Sequence, residues 1–377
     1  MRGVPEINKV IRLLEECILQ VQERKNVLLL PLHSNLSPSE QKRVFVPVKK
    51  GDVKVVISTN IAEASVTIPD VTVVVDSCRV KELTYDVERQ MTSLDSKLAA
   101  QDSLRQRRGR AGRVKAGRCF KLITENTFKK LPPDSVPEIL RVPLESLLLQ
   151  TLAMELDQHY SVTLSHCLDP PPMDALEAAY SSLQKIRAVN IDTGILTEIG
   201  KGLSLFPCAP KIGKLLLLGP LFKCVSSVST AAAILASKSP YIIDGTPELR
   251  EAVRNHKIRL IESTLKGYVS DHLTLLEMFK EFDNTKDKRR YCSENGLSYD
   301  KMCDILELRE EFLETLVDNG FLPTTRAGID SRASCNAYSN EVPGNVLLDI
   351  IITTNVAYRL LLSVQSFALV FIHMLHA

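Results

Sequence analysis

The chain of 377 residues contains no tryptophan, so no indole platform is present on which single-stranded nucleic-acid bases could stack. It also has little excess of either charge. Lys+Arg is 47 and Asp+Glu is 45, a formal net charge of +2, which excludes both a uniformly basic nucleic-acid sponge and an acidic disordered tail. The nine cysteines are scattered. No CxxC pair and no Cys/His cluster at zinc spacing occurs, which excludes a disulfide scaffold, predicts no metal site and points to a reduced, intracellular protein. The N-terminus offers no secretory leader, because Met1 leads directly into a charged amphipathic segment. What remains is ordinary for globular protein, 45% hydrophobic and 24% charged, with length for two or three domains.

The two ends are unusual. In residues 5–21, Ile7, Val10, Ile11, Leu14, Ile18 and Val21 recur at helical spacing with Pro5 near the first turn, which predicts a core-facing helix. So abrupt an opening is expected of a chain cut from something longer. At the other end, residues 346–375 are far more apolar than the rest. Leu360–Leu375 carries no charge but holds Ser, Gln and His, and falls short of the ~20 apolar residues that span a bilayer. A buried helix, a non-native terminal sequence and a tail anchor all fit; a membrane is not the expected partner.

From residue 27 to 124, strand and helix signals alternate. Val27–Leu32, Lys54–Thr59, Val71–Asp76 and Arg118–Thr124 have the composition of buried parallel strands. Ser37-Pro38-Ser39-Glu40 has the form of a capping box, and Asn60 with Glu63 repeats the pattern after the second strand. The prediction is an α/β domain with a parallel sheet covered on both faces, which binds ligands where its strands end. Residues 79–95 alternate polar and apolar with a break near Asp86, predicting a β-hairpin. After residue 127 leucine-rich amphipathic stretches dominate, so the second half is mainly α: helices over Leu144–Leu156 and Met173–Val189, a short strand and turn over 193–200, then further helices.

Three segments at strand ends carry chemistry. They are Pro31-Leu32-His33-Ser34, then STNIAEASVTI over 58–68, then QRRGRAGR over 106–113. Arg105, Arg107, Arg108, Arg110, Arg113, Lys115 and Arg118 place seven positive charges in fourteen residues with no acid among them. A folded domain keeps such a cluster where it meets anions, although a solvated basic face is the plain alternative. The interleaved Gly109, Ala111 and Gly112 let the backbone come close and present the arginines as a fork. A turn that opens a helix after a strand also leaves free N–H groups for phosphate, a role compatible with simple capping by Thr59-Asn60.

In this order and spacing the three segments resemble motifs IV, V and VI of superfamily 2 helicases, in the variant of the DEAH-box and RNA helicase A-like family. The resemblance implies a second RecA-like domain over 1–126, a winged helix over 127–205, a helicase-associated ratchet domain over 206–340 and a non-family tail over 341–377. It implies ATP with Mg²⁺ as cofactor and RNA as partner. It also implies that Gln106, Arg110 and Arg113 are the catalytic candidates. The two arginines would act as fingers on the γ-phosphate, and Gln106 would orient the attacking water. Arg107 and Arg108 have no assigned role. Phe45 matches the aromatic that stacks on adenine, with an ordinary core Phe as the alternative; Ser65 matches the serine that senses the nucleotide state, and Gly109 belongs to the same nucleotide-binding set. Ser34, Thr59, Asn60 and Thr67 are the RNA-backbone candidates. The hairpin over 79–95 corresponds to the one that the family uses as a wedge on the duplex.

The chain departs from the family in four places. Pro69 stands where many members have Asp, Lys185-Ile186-Arg187-Ala188 has no helix-ending Gly, residues 332–337 are followed by the apolar tail and not by an OB fold, and neither GxxxxGK[ST] nor DEAH occurs. An alternative or mis-spliced terminus would explain the tail. The sequence therefore predicts the finger half of an ATPase site without the half that cradles the triphosphate, inactive alone. Part of an ATP-dependent RNA helicase is the first reading. A non-enzymatic RNA-binding module is the second, and a regulatory module that docks on a full-length helicase or a G-patch-type activator is the third.

Overall fold

A computed structural model describes residues 3–20, 26–34, 36, 38–49, 51–64, 68–86, 91–113, 116–156, 159–242, 246–263 and 270–322. Ser37, Ser65, Thr67, Lys115, residues 332–337 and the apolar tail lie outside the described residues. The chain divides into two compact units, Met1–Val142 and Pro143–Ala377.

The first unit alternates as the sequence predicts. Helix α1 (Val4–Gln20) leads to β1 (Val27–Leu32), α2 (Pro38–Lys42), a 3₁₀ turn (Arg43–Phe45), β2 (Val53–Ser58), α3 (Ile61–Ala64) and β3 (Val73–Asp76). The hairpin β4 (Arg79–Asp86) and β5 (Met91–Leu98) follows, then α4 (Gln101–Arg108), β6 (Arg118–Lys121) and α5 (Glu125–Lys130). Ile7 is buried, and Val10, Ile11, Leu14 and Ile18 are half-buried along the same face of α1, as the 3.6-residue period requires.

Strands β1 and β2 pair in parallel from Val27↔Val53 to Leu32↔Ser58, and β3 pairs in parallel with β6 from Val73↔Arg118 to Asp76↔Lys121. β4 and β5 form the antiparallel hairpin expected at this place. One expectation is corrected. Among the described residues the parallel strands form two separate pairs, and the β3–β6 pair is not covered on both faces: Val75 and Phe120, register partners, are 65% and 53% exposed. A short apolar run identifies a strand but does not supply the layer that would cover its second face.

The second unit is helical. Its elements are α6 (Glu145–Ala153), α7 (Tyr160–Ser165), α8 (Met173–Lys185), α9 (Glu198–Ser204), α10 (Pro210–Leu221), α11 (Val225–Ala236), α12 (Pro247–Ser263), α13 (Asp271–Asn284), α14 (Lys288–Glu294) and α15 (Tyr299–Asp318). Between α8 and α9 an antiparallel bridge, Val189↔Leu196, is closed by the turn at Asn190–Gly194. The short strand and turn expected over 193–200 is reduced to this single bridge, because Glu198–Gly200 already belong to α9. Three consecutive alanines, Ala231–Ala233, bring α11 close to its neighbours, and Phe206 meets Phe312 edge-on with centroids 6.1 Å apart. Among the described residues no helix is long and apolar enough to cross a membrane.

The missing glycine after α8 has a structural consequence. Arg187 takes φ 61°, the left-handed conformation that favours glycine. Its N–H donates to Gln184 O and that of Ala188 to Leu183 O, both at 2.9 Å, which is the Schellman closure of a helix. Buried Lys214 donates to Ile186 O at 3.0 Å; burial first, then the neighbouring Arg187 charge, lower its pKa to about 8. Arg187→Gly therefore removes a strained side chain and a repelling charge together. The expected result is a gain of about 1 kcal/mol in urea unfolding of the second unit, and Arg187→Ala is expected to gain less.

Candidate nucleotide and RNA interface

In the first unit, parallel pairing places the carboxyl ends of β1 and β2 side by side. Thr59 N–H donates to Leu32 O at 3.1 Å, so Thr59-Asn60 is tied to the segment that continues into His33-Ser34. Ser34 and Asn60 are exposed, and Thr59 is half-buried. Ser58 Oγ donates to Thr59 O at 2.8 Å and fixes the turn. His33 is buried, and burial lowers its pKa against a smaller opposing effect of Glu40. It is therefore a neutral core histidine.

After the turn, α3 opens with Glu63 N–H donating to Asn60 O at 2.8 Å. The Glu63 carboxylate crosses to α4, where it accepts from Arg107 Nε at 2.8 Å and from Ser103 Oγ. Arg110 donates to the Glu63 carbonyl. The sequence motifs over 58–68 and 106–113 thus meet at a single residue.

Helix α4 sorts its cations by face. Leu104 is the one apolar residue in Gln101–Arg108 and is fully buried, and Arg107, three positions on, turns the same way. Arg105, Gln106 and Arg108 face outward, as do Gly109 and Arg113 beyond the helix. The Arg107 Nη1 group donates to Asp76 Oδ1 and to Arg79 O, each at 3.1 Å. Burial works against its charge, but the Glu63 and Asp76 carboxylates outweigh it and raise the Arg107 pKa. Asp76 Oδ1 also accepts from Cys78 N–H at 2.8 Å. The Cys78 thiol, buried and close to Asp76, is pushed up to about 11 and is not a nucleophile at neutral pH.

The two glycines of this segment differ. Gly112 has φ 91° and requires glycine; Gly109 has an ordinary right-handed conformation. Gly117 admits the close return of the loop, since a Cβ there would lie 2.6 Å from Gly112 N.

Phe45 is 41% exposed and lies in a 3₁₀ turn. The core reading is thereby set aside. Lys54, which sequence reasoning missed, holds the turn by donating to Val44 O at 2.9 Å and Val46 O at 3.2 Å, and it pairs with Asp70 at 2.7 Å. The carboxylate that follows Pro69 is thus occupied internally. No local signal announces this contact, because a lone lysine in a strand has no pattern of its own. Among the described residues no cluster of His, Cys, Asp or Glu could hold a metal ion, and eight cysteines are free.

A family model for the helicase conserved C-terminal domain matches residues 6–115, and one for the ratchet-like helicase associated domain matches residues 209–275. The chain is 37% identical over 339 residues to a protein of Homo sapiens called putative ATP-dependent RNA helicase DHX57, covering 88% of this chain and 24% of that one. It is 35% identical to human ATP-dependent RNA helicase DHX29 over 86% of this chain and 23% of that protein. A putative DEAH-box ATP-dependent helicase of Mycosarcoma maydis matches at 36% over 92% of this chain and 22% of its own length. The chain thus spans less than a quarter of these three relatives. Motif order, a RecA-like unit followed by a helical one, and these relatives together show that the chain belongs to the DEAH-box RNA helicase family, to whose C-terminal half it corresponds.

Proposed function

We propose that this chain supplies the arginine-finger and RNA-backbone half of an ATP-dependent RNA helicase. The observation that carries the reading is the junction at Glu63, where the turn at Thr59-Asn60 and the arginine helix α4 share hydrogen bonds while Gln106 and Arg108 remain on the surface. Ser34, Thr59 and Asn60 contact RNA phosphates, with Ser65 and Thr67 carried over from the family motif. Arg110 and Arg113 meet the γ-phosphate, Gln106 orients water, and Phe45, held outward by the Lys54 clamp, stacks on adenine. This residue set suits a nucleotide whose triphosphate is cradled elsewhere. ATP with Mg²⁺, when bound, supplies the phosphoryl group and the cation that neutralises its charge. The arginines stabilise the charge that develops on transfer, because their planar forks stay ionised and are positioned in advance.

The domain reading follows: a RecA-like domain over 1–126, a winged helix over 127–205 and a ratchet domain over 206–340, in an intracellular protein. With no GxxxxGK[ST] in its sequence, the chain alone is expected to turn over no ATP, with or without single-stranded RNA. It is expected to bind RNA with an affinity that falls as salt rises, to the extent that arginines of the basic cluster neutralise phosphates. Turnover that RNA stimulates and that Arg110→Ala or Arg113→Ala abolishes would overturn the inactivity. Absence of salt-dependent RNA binding would overturn the RNA reading. The basic cluster without a P-loop also favours a second reading, a non-enzymatic RNA-binding or helicase-regulating module. In that reading a full-length helicase or a G-patch-type activator is retained in a pulldown that survives ribonuclease.

A further inference from the structure

The cluster over 105–118 was expected to face anions, yet Arg107 is committed to the interior. Its side chain is 13% exposed, against 15% for Glu63 and 4% for Asp76. The guanidinium spans three elements: Nε reaches Glu63 on α3, and Nη1 reaches both Asp76 at the end of β3 and the carbonyl of Arg79 at the start of β4. Glu63 in turn is shared among Arg107, Ser103 and Arg110, all on or just after α4. Such a position suits a rigid planar fork, which holds separate nitrogens at fixed distances; a lysine offers all its donors from a single nitrogen.

We propose that Arg107 is a positioning residue that makes the turn at Thr59-Asn60 and helix α4 move as one body, so that RNA held at the first and phosphate held by Gln106 and Arg110 at the second sense each other. The proposal rests on the functional reading given above. Arg107 itself touches neither ligand. The coupling runs through Glu63, whose N–H is bonded to Asn60 O on one side while its carboxylate and carbonyl hold α4 on the other. Buried ion pairs with defined partners are suited to this, since they admit few alternative arrangements.

The test is amide NMR of the isotope-labelled full chain titrated with a short oligouridylate. In the unaltered chain, Thr59, Asn60 and Glu63 shift on one isotherm, and Gln106, Arg108 and Gly109 shift on the same isotherm. In Arg107→Lys, which keeps the charge and loses the fork, the first group still shifts and the second no longer does. A role limited to stability would leave both responses intact in the folded variant. Should Arg107→Lys fail to fold, Glu63→Gln, which keeps an acceptor of the same size, is expected to give the same loss. Undiminished shifts on α4 in either folded variant overturn the proposal and leave RNA binding standing. RNA binding without shifts at Thr59 and Asn60 in the unaltered chain overturns both the motif assignment and the coupling built on it.

Discussion

Arg107→Met is expected to destabilise the first unit by about 3–5 kcal/mol, the range for breaking a buried ion pair by removing one partner. The substitution keeps most of the packing volume and removes the charge. Asp76, 5% exposed, and Glu63 then face each other's neighbourhood with no cation between them, and Arg79 O loses its donor. Even in the native arrangement the balance is tight: Asp76 Oδ2 and Arg107 Nη2 have no hydrogen-bond partner among the described residues. The loss is measured by hydrogen exchange at the α4 amides. Asp76→Asn combined with Arg107→Met is expected to recover part of it, because one stranded carboxylate is gone. A loss below about 1 kcal/mol would mean that the triad is solvated, like a surface pair, and contributes little.

In the second unit, acid is expected to remove about 3 kcal/mol of stability between pH 6.5 and pH 4, at about 1.4 kcal/mol per unit of pKa shift. The group responsible is His256 on α12, 2% exposed, with Nε2 bonded to Tyr291 Oη at 3.1 Å and lying 3.6 Å from Glu281 Oε2. Its Nδ1 has no partner among the described residues. Burial, then the charge of Arg259, lowers its pKa to about 4, and the opposing pull of Glu281 is smaller. Tyr241 and Tyr291 meet the ring edge-on and bring no charge at these pH values. The folded pKa lies below the unfolded one, so the unfolded chain takes up the proton first. The contribution is complete above pH 6.5, falls as pH drops to about 4, and does not change further below that.

Glu281 then extends the loss. Burial alone would raise its pKa, but hydrogen bonds from Arg259 and Tyr291 lower it, so its stabilisation disappears as pH falls through that lowered value. Urea midpoints at stepped pH, read by circular dichroism, check the slope. His256→Phe is expected to flatten it between pH 6.5 and 4 while leaving the Glu281 step. A slope that survives in His256→Phe would assign the titration to another group.

Much of this molecule was legible in its residues. A continuous apolar run, period-2 alternation and a 3.6-residue period each depend on a few neighbouring residues, so β1, the hairpin and the inward face of α1 could be placed before any contact was known. The motif order and spacing carried the family for the same reason. Arg107 was half legible. Leu104 is the lone apolar residue of its helix, and position 107 lies on its face, so the inward turn was available from spacing, but the partners were not. Glu63 and Asp76 lie 44 and 31 residues away, and only folding brings them to the same guanidinium.

The same division holds elsewhere. The missing glycine at 187 was visible as a departure, but the left-handed backbone and the Lys214 neighbour were not. The Lys54 clamp on the Phe45 turn left no mark in the sequence. By itself the sequence determined the α/β-then-α order, the motifs and the charge cluster, because these depend on local pattern and composition. The tertiary structure alone decided which partners hold the inward-facing arginine, which residue joins the two motifs and which histidines are held neutral, because each depends on desolvation and on partners distant along the chain.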